Sequence, residues 1–162
     1  MERPAIRRLR DEIQQNKPFQ NPSHAAAIAL LRTADVLRRS IGTVIVPTGV
    51  SAEQYNVLRI LRGAGDKGLP TLEIAARLLE NNPGITRLID KLETKNLVCR
   101  NRCKTDRRQV FCTITKAGAD LVASLDEPAS HQNHQLFRGL TDIQIDTLIE
   151  LLDRVRYPES KE

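Results

Sequence analysis

The sequence has few aromatic residues and no long apolar segment. Of its 162 residues, three are phenylalanine, two are tyrosine and none is tryptophan, so a pocket walled by stacked aromatic rings is not expected. No apolar run approaches the roughly 20 residues that span a bilayer, because even residues 25–31 end at Arg32. The arginine-rich start of the chain is followed by no apolar segment, and its Glu2, Asp11 and Glu12 are unlike a transit peptide. We therefore expect a cytoplasmic protein.

The residues that usually build catalytic or metal sites are also scarce. The three cysteines, Cys99, Cys103 and Cys112, form no regular framework, which fits a reducing compartment better than a disulfide scaffold. His131 and His134 are spaced to share a metal ion on a helix, but no carboxylate or cysteine completes a site at standard spacing. No nucleophile is paired with a base. The sequence therefore predicts a protein that is not an enzyme and that binds neither metal nor cofactor.

Residues 63–68 match the dinucleotide-binding pattern G-x-G-x-x-G as a string of letters. In dinucleotide-binding folds the pattern follows a strand and opens a helix. Here it follows the helical run 57–61 and precedes Pro70, so the end of a helix and a loop are predicted instead.

The formal net charge of +5 is unevenly distributed along the chain. Residues 1–62 carry 10 basic and 5 acidic side chains, residues 63–118 carry 11 and 6, and residues 119–162 carry 4 and 9. Within residues 98–116 one acidic side chain, Asp106, accompanies six basic ones, which are Arg100, Arg102, Lys104, Arg107, Arg108 and Lys116. So dense a cationic segment indicates a polyanionic partner.

Apolar periodicity predicts helices at both ends of the chain. A short helical arm is closed by Pro18, and a second helix, capped by Ser23, carries apolar residues as far as Ile45. This second helix would be more than about 30 Å long, which exceeds what a small domain can cover. Thr115 caps a helix that Pro128 disturbs, and Thr141 and Gln144 form a capping box that opens the last helix. A partner chain is expected to cover the apolar stripe of the long helix.

The middle of the chain predicts three helices in succession. A helix capped by Ser51 is followed by a short one over residues 72–78. A third helix begins at Pro83, with Asn82 as its cap, and buries Ile85, Leu88, Ile89 and Leu92. Its opposite face presents Pro83, Arg87, Asp90, Lys91 and Thr94, with Gly84 and Thr86 at the flanks.

After this helix the apolar period changes from the helical value to two. The change predicts strands at 98–100 and 110–114, joined by a polar turn. Helix, turn, helix and hairpin in this order are typical of a winged helix-turn-helix. A helix bearing Arg87 and Lys91 fits the major groove of DNA, and a cationic hairpin tip can reach phosphates or the minor groove. The predicted fold class is mainly α (α+β), with a two-stranded wing.

Three segments of the chain resemble the MarR family of bacterial transcriptional regulators. Residues 50–58 are similar to the family's opening LT..Q...L helix, and residues 84–98 look like its recognition helix and exit. Asp106-Arg107-Arg108, followed by Ile114-Thr115 and Gly118, is similar to the wing signature DRR.....LT..G. One departure is Asn96, which stands where the family usually has glycine.

The resemblance implies a homodimer that binds a pseudo-palindromic operator and represses transcription, under the control of a small-molecule ligand. Residues 1–46 would form an N-terminal arm and dimerisation helix, residues 47–118 the DNA-binding domain, and residues 119–162 the C-terminal dimerisation helices. The resemblance further implies that Asp106 braces the wing and that Arg108 enters the minor groove. The candidate DNA-binding residues are Pro83, Gly84, Thr86, Arg87, Lys91, Lys104, Arg107 and Arg108.

Two other functions stay open. Cys99 and Cys112 lie on the two predicted strands, each on the side that alternation makes inward. Cys103 lies near the exposed turn among basic side chains whose charges favour a reactive thiolate, so a thiol-based redox-sensing regulator is one alternative. The other is a winged-helix interaction module that does not bind DNA.

Overall fold

The computed structural model describes residues 3–79, 84–102 and 110–158 of the chain. The chain divides into two compact units, residues 1–40 and residues 41–162. Its elements are mainly helices with one small antiparallel sheet, which confirms the predicted fold class. Throughout the described ranges, no helix is both long enough and apolar enough to cross a membrane. The division into dimerisation and DNA-binding segments made from the sequence stays a prediction.

The first unit contains α1 (Pro4–Glu12) and most of α2 (Pro22–Ile45). Both helices were expected from the apolar periodicity. The predicted cap of α2, Ser23, is wrong because this residue already lies inside the helix. Asn21 performs that role, since its Oδ1 accepts a hydrogen bond from the His24 N–H at 2.8 Å.

The second unit contains the remaining helices and the sheet. These elements are α3 (Ala52–Ala64), β1 (Leu69–Pro70), α4 (Thr71–Ala76), α5 (Ile85–Thr94), β2 (Val98–Arg102), β3 (Val110–Ile114), α6 (Lys116–Phe137) and α7 (Asp142–Arg156). Capping boxes at Ser51 and Thr141 open α3 and α7 as predicted. Residues 63–68 form the end of α3 and a 3-10 turn, so no strand precedes them as a dinucleotide site would require.

The sheet has the strand order β1-β3-β2, with antiparallel neighbours. The predicted hairpin corresponds to β2 and β3. Alternation does not reveal β1, because two residues are too few to show a period. Gly68 precedes β1 with φ +63°, and a Cβ there would overlap the Cys112 carbonyl oxygen of β3. Glycine at this position therefore allows β1 to approach β3.

One apolar core joins α3, α4, α5, the first half of α6 and the end of α2 to the sheet. In α5, Ile85, Ile89 and Leu92 are buried as predicted, whereas Leu88 is half-buried. Side chains that are fully buried in this core are Ile45, Val57, Leu58, Leu61, Ile74, Ile89, Leu92, Cys112 and Val122. The beginning of α6 is thus part of the same body as the helix-turn-helix.

The connection between α5 and β2 contains one unusual backbone position, and the start of α6 approaches it closely. Asn96 has φ +56° in the left-handed region, which asparagine tolerates better than other non-glycine residues. Its carbonyl accepts a hydrogen bond from the Thr115 hydroxyl at 2.7 Å, and Thr115 caps α6 as predicted. A Cβ on Gly118 would overlap the Leu97 carbonyl oxygen. Asn96 therefore holds a backbone conformation that glycine adopts at the least steric cost.

Candidate nucleic-acid interface

The recognition helix of the predicted motif, α5, has one buried and one exposed side. The helix begins at Ile85 with Gly84 as its cap residue, and no side chain caps it. The predicted start at Pro83 is therefore two residues too early, and Asn82 and Pro83 lie outside the described residues. The apolar side packs in the core, which leaves Thr86, Arg87 and Lys91 exposed on the opposite side.

Arg100 of β2 ties α5 to the sheet. Its Nη1 lies 2.6 Å from Asp90 Oδ1 and 3.0 Å from Glu93 Oε2. Its Nη2 donates to the Thr86 carbonyl at 3.3 Å. Burial alone would lower the pKa of Arg100, but the hydrogen bond and charge of Asp90, together with the charge of Glu93, raise it. We call this set of contacts the Arg100 latch.

Because of the latch, fewer of the basic side chains within residues 98–116 carry an unpaired charge than the sequence suggests. Arg100 is one of the six basic residues of this segment, and its charge is paired with the carboxylates of Asp90 and Glu93. Lys116 likewise forms an ion pair with Asp120 at 2.7 Å on α6. The sequence signal that identifies Arg100 is alternation, because it lies two residues after the buried Val98 and opposite the buried Cys112.

Arg87 and Lys91 differ from Arg100 in this respect. Among the residues that the structure describes, neither has a hydrogen-bond or ion-pair partner. Both are exposed, and both lie on the side of α5 that faces away from the core. Free cations on a rigid helix can contact phosphate oxygens or the acceptor atoms of guanine in the major groove.

Several predicted site residues lie outside the described residues. These are Pro83, Cys103, Lys104, Asp106, Arg107 and Arg108. Their roles in base contact, in bracing the wing, in redox chemistry and in binding the minor groove stay predictions. What the structure places is the base of the wing, where Val98 pairs with Ile114 and Arg102 pairs with Val110.

The two described cysteines lie on opposite faces of the sheet. Cys99 pairs with Thr113 and is exposed, whereas Cys112 pairs with Arg100 and is buried. The prediction that both point inward is therefore wrong for Cys99. This residue pairs with Thr113, and successive residues of β3 point to opposite faces, so Cys99 and Cys112 lie on opposite faces of the sheet. Burial raises the pKa of Cys112, which favours the unreactive thiol over the thiolate.

The sequence and the fold are similar to those of known proteins. The MarR family model matches residues 50–110. The HTH-type transcriptional regulator MhqR of Bacillus subtilis (strain 168) is 30% identical over 107 residues, which cover 66% of this chain and 72% of MhqR. A MarR transcription factor from Planctomyces limnophilus, solved as a crystal structure, is 35% identical with a TM-score of 0.65, covering 83% of this chain and 98% of its own. A mutant MarR from E. coli, crystallised with operator DNA, has a TM-score of 0.72 at 24% identity, covering 78% of this chain and 90% of its own.

Proposed function

This chain belongs to the MarR family, and on that premise we propose that it is a transcriptional regulator that binds duplex DNA through α5. The observation that carries the proposal is the division of charges on this helix. Arg87 and Lys91 are exposed on one side, while the carboxylates of Asp90 and Glu93 are bound by Arg100. The side of α5 that would face phosphates is therefore cationic although the helix also carries acidic residues.

The Arg100 latch also supports this proposal through rigidity. Base readout requires a helix that is held in one orientation, since its side chains must meet base edges within hydrogen-bond distance. Arg100 contacts three points along α5, from the Thr86 carbonyl in its first turn to Glu93 near its end. The helix is thus fixed to the sheet as well as to the core, and the wing and the helix would approach DNA together.

For the wing we propose the roles that the family resemblance implies. Lys104, Arg107 and Arg108 would contact phosphates or enter the minor groove, and Asp106 would brace the turn. The described part of the hairpin supports this arrangement because β2 leads directly from the latch toward the wing tip. The strongly cationic composition of residues 102–108 suits the negative potential of a narrow minor groove.

We propose a homodimer because large apolar side chains are exposed on α2 and on α7. On α2, Leu31 is 69% exposed, and on α7 the exposed apolar residues include Ile143, Ile149, Leu151 and Val155. None of the residues of α7 is buried. A second copy of the chain would remove this surface from water, which is the main driving force of stable homodimers.

Dimer formation can be measured by light scattering. We expect a dimer at micromolar concentration, and we expect Leu37→Asp combined with Leu148→Asp to shift it toward monomer. The matched control is Thr43→Asp, which adds a charge to an exposed position of the same helix α2. A monomeric wild-type protein would contradict the proposed dimer.

Two-fold symmetry sets the DNA target. The half-sites of a pseudo-palindrome would lie about 10 base pairs, or roughly 34 Å, apart, so that both copies of α5 reach the same face of the duplex. Binding at such an operator would repress transcription, and a small-molecule effector would change its affinity. The last two points derive from the family resemblance and stay predictions.

The decisive experiment selects DNA from a random pool with the wild-type protein and sequences what is bound. We expect a pseudo-palindrome, and we expect five base pairs inserted at its centre to abolish tight binding because the half-sites then face opposite sides of the duplex. Lys17→Ala, which removes one exposed cation far along the sequence from α5, is the charge-matched control for variants of Arg87 and Lys91.

The same measurements separate the two alternatives. An interaction module without DNA binding would show no salt-dependent affinity for any DNA in the pool. A thiol-switched regulator would lose or gain operator affinity on treatment with peroxide, and Cys103→Ser would remove that response. The raised pKa of Cys112 makes this buried thiol the less suitable sensor.

A further inference from the structure

A bidentate ion pair joins α3 to α6. Nη1 of Arg62 lies 2.7 Å from Asp126 Oδ2, and its Nη2 lies 2.9 Å from Asp126 Oδ1. Two parallel hydrogen bonds fix both the distance and the relative orientation of a guanidinium and a carboxylate. The hydrogen bond from Arg62 also holds the pKa of Asp126 below its usual value, so this carboxylate stays charged at neutral pH.

On α3, neighbouring side chains connect the position of Arg62 to the core. Tyr55, Arg59 and Arg62 follow one another at helical spacing on α3, and the Arg59 guanidinium lies over the Tyr55 ring at 5.9 Å from its centroid. Tyr55 is buried in the core. The α3 side of the contact is therefore anchored in the winged-helix body, and α6 is the element whose direction the pair can control.

The Arg62–Asp126 pair can control the direction of α6 because of its position along this helix. The buried residues of α6 are Gly118, Val122 and Leu125, and all of them precede Asp126. None of residues 127–137 is buried. The last buried residue of α6, Leu125, is thus followed at once by Asp126, and the Arg62–Asp126 pair lies where this helix leaves the core.

A weak point in the helix follows the pair directly. Pro128 lies inside α6, which continues through it from Lys116 to Phe137. Proline has no N–H to donate to the carbonyl of Ser124, and its ring presses on the preceding turn. A helix bends most easily at such a position. The Arg62–Asp126 pair lies just before it, so the pair limits how far a bend at Pro128 can change the direction of the first half of α6 relative to α3.

We propose that Arg62 and Asp126 are a positioning pair that fixes the direction in which α6 leaves the winged-helix body, and thereby the spacing of the two recognition helices in the dimer. This inference rests on the proposed function, because spacing matters only if two copies bind one operator. Neither residue is proposed to touch DNA.

The lever is long enough for small rotations to matter. From Asp126 to Phe137 the helix extends about 17 Å at 1.5 Å per residue. A 10° change of direction at Asp126 therefore displaces its far end by roughly 3 Å, which is close to the 3.4 Å rise of one base pair. Without the pair, the dimer should accept neighbouring spacings nearly as well as the best one.

The experiment compares wild type with Asp126→Asn, and with the reversed pair Arg62→Asp plus Asp126→Arg. Affinities are measured for an isolated half-site and for full sites whose half-sites are about 9, 10, 11 or 12 base pairs apart. We expect Asp126→Asn to keep half-site affinity within about two-fold while its preference for the best spacing falls at least about five-fold. The reversed pair should restore the preference.

A second measurement tests the direction of α6 without DNA. Spin labels at Lys91→Cys on α5 and His134→Cys on α6, in a chain whose own cysteines are replaced by serine, report a distance within one protomer when labelled chains are diluted with unlabelled ones. We expect a single narrow distance distribution for wild type and a broader one for Asp126→Asn. Asp120→Asn, which removes a carboxylate from the first part of the same helix, should leave the distribution unchanged.

The two measurements separate failure of this inference from failure of the proposed function. An unchanged distance distribution and an unchanged spacing preference in Asp126→Asn would overturn the positioning role, provided that circular dichroism shows the variant folded. If wild type binds no DNA, the proposed function fails, and the spin-label distances still decide whether the pair directs α6.

Discussion

Replacing Arg100 by glutamine should weaken DNA binding although Arg100 is not proposed to contact DNA. The substitution leaves Asp90 and Glu93 without their counter-charge and makes the exposed side of α5 more negative by one charge. One charge at about 8 Å from a phosphate in water is worth roughly 0.5 kcal/mol. With two phosphates near the helix, the loss is about 1 kcal/mol, or roughly five-fold in Kd at low salt.

Stability should fall in the same variant. The two ion pairs are partly exposed, since the side chain of Arg100 is 24% exposed and those of Asp90 and Glu93 are 52% and 41% exposed. Each such pair contributes on the order of 0.5–1 kcal/mol, and the hydrogen bond to the Thr86 carbonyl about 1 kcal/mol. The expected loss in the free energy of unfolding is therefore about 2 kcal/mol, measurable by urea denaturation.

A second variant separates the latch from a direct DNA contact. Arg100→Gln combined with Asp90→Asn restores the local net charge, so we expect it to recover most of the lost operator affinity but only part of the lost stability. Titrations at two salt concentrations provide the measurement. If the double variant binds DNA no better than Arg100→Gln alone, Arg100 itself contacts DNA and the reasoning about the latch is refuted.

Five further substitutions, at four positions, test the fold and the proposed interface. Gly118→Ala should lower the free energy of unfolding by about 2 kcal/mol or more in urea denaturation, because the new Cβ would overlap the Leu97 carbonyl oxygen; an unchanged midpoint would contradict this close approach. Asn96→Gly should leave the Tm near that of wild type, whereas Asn96→Val should cost about 1–2 kcal/mol in the left-handed region; equal Tm values would show that the turn relaxes. Arg87→Ala should cost on the order of 1–3 kcal/mol of binding free energy on the operator and less on random DNA. Arg108→Ala should lower the salt slope of binding by about one and reduce any preference for A·T-rich flanks. If both variants lost the same affinity for every DNA, separate roles for the helix and the wing would be contradicted.

Most of the fold could be predicted because its signals are local. The caps at Ser51, Thr115 and Thr141 depend on residues three positions away, and the strands are revealed by a period of two. The elements that escape prediction depend on contacts far along the chain. β1 is a strand only because Gly68 allows it to reach β3, which begins more than 40 residues later.

The start and the continuity of the helices show the same limit. Pro83 has the properties of a first helical residue, yet α5 begins at Ile85, where the apolar side enters the core. Pro128 removes one hydrogen bond from its helix, yet α6 continues through it to Phe137, because one lost hydrogen bond costs less than ending a helix whose neighbouring turns are intact. In α5 and in α6, packing and the neighbouring helical turns outweigh the local preference of single residues.

The candidate site shows where counting charges along a sequence fails. Six basic residues within 98–116 suggest a uniform cationic patch, yet Arg100 and Lys116 are bound to carboxylates of the same chain. Conversely, Asp90 makes α5 look less suited to DNA until its carboxylate is found on Arg100. The electrostatic potential at a bound phosphate depends on which charged side chains are paired. The amino-acid composition does not show that Arg100 of β2 pairs with Asp90 of α5. Arg87 and Lys91 have no such partner among the described residues, and they lie on the side of α5 that faces away from the core, so their charges stay available to DNA phosphates.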